Sequence, residues 1–138
     1  MTARDYLIEI QDLNNKIKHI KNQIDYFDRM SYSLGGNGYG EEVVSRTRSF
    51  KAPFEKWIYK KIEAEASLKE AYKELAEKID IIQPVLERVD SFDEGLILNY
   101  RYIMDMNWND IAEKMSYSLT SIYRHHRRAL EKMDEISM

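Results

Sequence analysis

The sequence predicts an all-α fold: a long N-terminal helical hairpin or coiled-coil arm over residues 1–89, then a compact module of short helices over residues 90–138. Three observations carry this. Two long segments space their apolar residues alternately by four and three, the pattern of a packed helix face. A glycine-rich run separates them. The last third of the chain alternates short apolar stretches with polar capping residues and closes on an arginine-rich helix.

The first helix follows from Tyr6, Ile10, Leu13, Ile17, Ile20, Ile24 and Phe27, a narrow seam at period 3.5. Asn14, Asn15, Lys18 and Lys21 fill its other faces. The glycines between Gly35 and Gly40 then predict a connecting loop over residues 31–52. A phosphate-cradling loop would need a strand before it and a Lys-Ser/Thr pair opening the next helix, and neither is present. Ser45, Arg46, Thr47 and Arg48 form a small basic cluster, read as a solvated loop. A second long helix is predicted from Pro53, which suits a first turn. Its seam is Leu68, Tyr72, Leu75, Ile79, Ile82, Leu86 and Val89. The two seams pair in an antiparallel hairpin or meet the same seams of a second chain, so a homodimer through the arm is one expectation. Pro84 predicts a kink or break at Gln83–Pro84, the joint between arm and module.

Three helices are predicted after the joint. The first spans about Asp93–Tyr102, capped by Ser91 or Asp93. After a turn at Asp105–Met106–Asn107, the second covers Trp108–Met115 with Asn107 as its cap. The third starts after Ser118 and runs to about Met133. Ile111, Ala112 and Met115 form the inner face of the second helix; Ile122, Ala129, Leu130 and Met133 form that of the third. Trp108 is expected against Tyr102 or Ile103. The outward set is Ser118, Leu119, Thr120, Ser121, Tyr123, Arg124, Arg127 and Arg128. A short helix, a tight polar turn and a basic second helix match what is needed to lay one helix in the major groove of double-stranded DNA. Leu119 and Thr120 are the candidates for base edges, Tyr123 and Arg124 follow one turn later, and the later arginines suit phosphates.

Composition narrows the alternatives. The formal net charge of −3 does not announce a nucleic-acid binder, but charge position matters more than its sum. Between Ser116 and Leu130 there are three arginines, two histidines and no carboxylate. The absence of cysteine excludes a disulfide scaffold, a thiolate zinc site and a cysteine nucleophile. Adjacent His125 and His126 point about 100° apart on a helix, so no metal site is expected there; one should pack partly and the other face phosphate. With no catalytic constellation visible, neither an enzyme nor a cofactor is expected. No apolar run approaches the roughly 20 residues of a membrane span, and the N-terminus lacks the apolar core of a secretory signal. A cytoplasmic protein is expected.

The residues from Phe92 to Met133 resemble the DNA-binding region 4 of bacterial sigma factors. Ile97–Tyr102 stands where that region has its VLRLRY run, Trp108–Met115 stands for LEEIAERL, Ser118–Tyr123 for SRETVR and Arg128–Leu130 for RAL. Ser116 replaces the turn glycine, and the rest of the chain lacks the other regions of a sigma factor. The whole layout is similar to small phage-encoded late-gene regulators of the RinA and ArpU groups. Tyr100–Ile103, Trp108, Met115–Ser118, His126 and Ala129–Leu130 carry that likeness. The resemblance implies a DNA-binding transcriptional regulator of phage or prophage genes in a bacterial cytoplasm. The alternative is an interaction module whose arm binds RNA polymerase or a phage packaging component.

Overall fold

The computed structural model describes the backbone of residues 1–35 and 47–138 and the side chains of residues 1–33 and 54–138. These residues form helices, with a single antiparallel bridge between Thr2 and Ser137. Helix α1 spans Ala3–Gly35 and helix α2 Thr47–Glu87. Both helices run into the predicted 31–52 loop; Gly36, Gly38, Gly40, Ser45 and Arg46 lie outside the described residues, as do the side chains of Thr47 and Arg48. Pro53 does not open α2. A proline inside a helix removes its own amide donor and strains one turn, and the helix here extends on both sides of it.

The break expected at Gln83–Pro84 is also absent, because α2 continues to Glu87. Pro84 and Asp80 both lie on the exposed side, so water can satisfy the carbonyl that loses its amide partner. The chain leaves helical geometry over residues 88–91 instead.

The structure divides into two compact units. In Lys16–Lys73, the two helix segments run antiparallel. The Lys61 ammonium meets Asp28 at 2.8 Å, the Lys21 ammonium lies 5.3 Å from the Tyr72 ring centroid, and Trp57 packs on Tyr26 and Phe27 with centroids 5.8 Å away. Ile17, Ile20, Ala64 and Ala71 are buried. The seam of α2 departs from the predicted stripe at Tyr72: Ala71 is inside at 2% exposure and Tyr72 sits at the rim at 41%. A small residue allows close helix approach, whereas the Tyr72 ring keeps its hydroxyl wet and accepts a lysine on its face.

The other unit joins Met1–Asn15 to Glu74–Met138 and so crosses the arm–module boundary drawn at residue 90. Ala3, Tyr6, Leu7 and Ile10 of α1 share one buried cluster with Ile82, Leu86, Leu98, Tyr102, Ala129 and Met133. Residues 1–4 and 134–138 are tied together: the Ala3 amide donates to the Ile136 carbonyl at 2.8 Å, the Met138 amide donates to the Met1 carbonyl at 2.9 Å, and Arg4 meets Asp134 at 2.9 Å.

Helix α3 spans Phe92–Leu98, capped by Ser91, whose hydroxyl accepts from the Glu94 amide. Gly95 allows α3 to lie against the end of α2: a Cβ there would stand 3.1 Å from the Leu86 carbonyl oxygen. The helix widens into a π turn over Asn99–Ile103, where the Met104 amide donates to the Asn99 carbonyl at 3.0 Å. Buried Asn14 donates its side-chain amide to the Tyr102 carbonyl at 2.9 Å, satisfying an acceptor near the helix end. Helices α4 (Trp108–Met115) and α5 (Leu119–Asp134) complete the unit.

Candidate nucleic-acid interface

The candidate interface is the exposed face of α5, and four local devices set its angle. Asn107 caps α4 by accepting from the Asp110 amide at 2.8 Å, and Ser118 caps α5 by accepting from the Ser121 amide at 3.2 Å. Between them, Ser116 takes the left-handed conformation at φ 58°. The Tyr117 amide reaches back to the Ala112 carbonyl at 3.0 Å and the Ser116 amide to Glu113 at 3.2 Å. This pair of bonds is the Schellman arrangement, usually built on glycine. Finally, the Tyr117 hydroxyl donates to Asp93 at 2.5 Å, and its ring lies 5.3 Å from that of His125, tying the turn to α3 and α5.

The inner face of α5 sits on two clusters. Ile122 joins Ile97, Ile111 and Ala112, with Met115 and Trp108 packed beside them; Ala129 and Met133 join the cluster that includes α1. Ile122, Ala129 and Met133 are fully buried. His126 lies between these apolar contacts. Its Nε2 is 2.9 Å from the Tyr102 hydroxyl, and its ring meets Trp108 edge-on at 4.6 Å. Burial, with the Arg101 and Arg4 charges adding to it, pushes its pKa down to about 4, so the ring is neutral at pH 7. Burial likewise raises the Tyr102 hydroxyl.

Trp108 does not pack on Tyr102 or Ile103 as the spacing predicted. It is enclosed by His126, by Tyr123 at 5.4 Å and by the Arg101 guanidinium, 4.5 Å above its ring. Tyr102 and Ile103 pack in the cluster that includes α1, while Arg101, donating to the Met106 carbonyl at 3.0 Å, covers the indole. The inward position of His126 could have been found from sequence, since 122, 126, 129 and 133 are spaced four, three and four. A polar residue type concealed the stripe.

The outward set is placed together. Ser118, Leu119, Thr120, Tyr123, Arg124, Arg127 and Arg128 are exposed, and Ser121 is half-buried. Arg124 donates to the Ser121 hydroxyl at 3.3 Å. Among the described residues Arg124, Arg127 and Arg128 form no ion pair, whereas Lys132 is engaged by Asp90 at 2.5 Å and by Glu94. Those bonds raise the Lys132 pKa, Asp90 contributing most. The uncommitted positive charge thus lies on the part of α5 up to Arg128. Among the described residues, no group of three or more His, Asp or Glu side chains is placed to hold a metal, and no helix is long and apolar enough to cross a membrane. Comparison with protein-family models, curated proteins and solved structures gives no match.

Proposed function

We propose that this protein is a sequence-specific regulator of phage or prophage transcription that lays α5 in the major groove of double-stranded DNA. The observation that supports this reading is the split of α5 into a buried face and an exposed face carrying Leu119, Thr120, Tyr123, Arg124, Arg127 and Arg128, with three arginines outside any ion pair among the described residues. The resemblance of Phe92–Met133 to sigma region 4 supports a helix–turn–helix use of α4 and α5. On this reading α5 enters the groove N-terminus first. Leu119 and Thr120 would meet base edges, including a thymine methyl, and Arg127 and Arg128 would neutralise phosphates.

A homodimer would place two such modules on paired half-sites. Ile17, Ile20, Ala64 and Ala71 are already buried within one chain, so a dimer would use another face of the arm. Selecting bound duplexes from a random pool, then titrating them by mobility shift, tests the reading. Arg124→Ala should cost about 1–3 kcal/mol and relax preference at one base position. Arg128→Ala should weaken all sequences alike and flatten the salt dependence by about one unit of slope. No enriched duplex, or full affinity in both variants, would exclude α5 as the reading helix.

A further inference from the structure

A recess lies where α3 crosses the end of α2. Its apolar lining is Leu86, Val89, Phe92 and Leu96, with Glu87 and Asn99 among the polar groups at its edge, and its volume is about 240 Å³. Gly95 lines it without a side chain, where α3 lies close to the Leu86 carbonyl. Phe92, in the first turn of α3, is 80% exposed, the largest exposure among the described large hydrophobic residues. An aromatic ring held in water beside an apolar recess marks a contact surface. The volume is below the ~300–1,000 Å³ of sites for whole small molecules; it suits a single bulky side chain.

The surrounding charge selects the partner. Glu87, Asp90, Asp93 and Glu94 lie in this short stretch against Arg88 alone. Lys132 bridges Asp90 and Glu94, so one ammonium offsets two carboxylates. Glu87 and Asp90 are exposed. The flank is acidic and repels nucleic acid. Lys132 stands thirteen residues after Leu119, roughly 20 Å along α5 from the proposed base-reading end.

We infer that this recess docks a basic segment of another protein, which inserts one large apolar side chain beside Phe92 and sets Lys or Arg against Glu87 and Asp90. The inference does not depend on DNA binding. The test is selection from a displayed library of random peptides on the full-length protein, followed by fluorescence-polarisation titration of the enriched peptides. Enriched peptides should share one Phe, Leu, Met or Trp flanked by Lys or Arg. Phe92→Ala and Glu87→Lys should each weaken them about tenfold or more, and added salt should weaken them further. Both positions are exposed, so the circular dichroism melt should be unchanged and the loss attributable to the surface. Peptides without this pattern, or ones that bind both variants as well as the parent, would overturn the proposal. So would self-association abolished by Phe92→Ala, which would make a second copy the occupant, or displacement of the peptides by duplex DNA.

Discussion

Acidification should loosen the seat of α5 through one histidine. His126 has a pKa of about 4 in the folded protein against 6.5 when unperturbed, chiefly because its ring is buried against Trp108 and Tyr102 and secondarily because Arg101 and Arg4 oppose a further positive charge. Between these two values the unfolded chain binds the proton and the folded chain does not. The neutral ring's contribution is therefore complete above pH 6.5 and is lost as pH falls toward 4. The full shift corresponds to roughly 3 kcal/mol; with a discount for the partly solvated ring, about 2 kcal/mol remains. The perturbation is His126→Gln, which keeps a hydrogen-bonding group within reach of Tyr102 and removes the titration. Urea unfolding followed by circular dichroism, at steps from pH 7.5 to pH 4, should give the parent a steeper loss than the variant by about that amount. Carboxylates shared by both proteins cancel in the difference. Parallel stability curves, or an NMR titration of the His126 ring with a midpoint near 6.5, would refute the reasoning.

Three further substitutions probe the same unit. Ser116→Gly should raise stability by about 0.5–1 kcal/mol, since φ 58° costs a side-chain-bearing residue more than the extra freedom glycine has when unfolded; a lower melting temperature would count against the left-handed turn. Lys132→Met should lower the midpoint of urea titrations by leaving buried Glu94 without its cation, and Glu94→Gln in the same chain should recover much of it, a recovery whose absence would show that the pair is not coupled. Asn14→Leu should cost about 1–3 kcal/mol by orphaning the Tyr102 carbonyl, with faster amide exchange around the π turn; unchanged exchange there would mean that the carbonyl finds another donor.

Local rules served well where the cause was local. Ser91, Asn107 and Ser118 were legible as caps because short polar side chains sit one residue ahead of an apolar periodic run, and all three cap. The α1 seam from Tyr6 to Ile20 was legible because each member is large and apolar, and these residues are buried. The outward face of α5 followed from the same periodicity, seven of its eight candidates being exposed and Ser121 half-buried. What failed depended on distant partners. Tyr72 outweighed Ala71 in the stripe because size was read as burial, when close helix packing favours the smaller side chain. Pro84 implied a break because its exposure, and so the hydration of the carbonyl behind it, is a tertiary property. Trp108 was matched to neighbours in sequence, but Tyr102 and Ile103 pack in the cluster that includes α1. Nothing in the Ala3–Ile10 pattern specified Ala129 and Met133 as its partners, since an apolar stripe does not encode which surface it covers.

The pairing of Ala3 with Ile136, and of Met1 with Met138, also constrains the order of assembly. Ala3, Leu7 and Ile10 share one buried cluster with Ala129 and Met133, so that cluster closes only after a strip more than a hundred residues further along the chain has been made. Until Met133 is made, Leu7 and Ile10 lack the part of their cover that Ala129 and Met133 supply. The Lys16–Lys73 hairpin meets no such delay, because its partners are all in hand by residue 73. The Lys16–Lys73 partners are therefore all made first, and the helix that carries Arg124 and Arg128 gains its full seat only when Ala129 and Met133 reach the α1 strip.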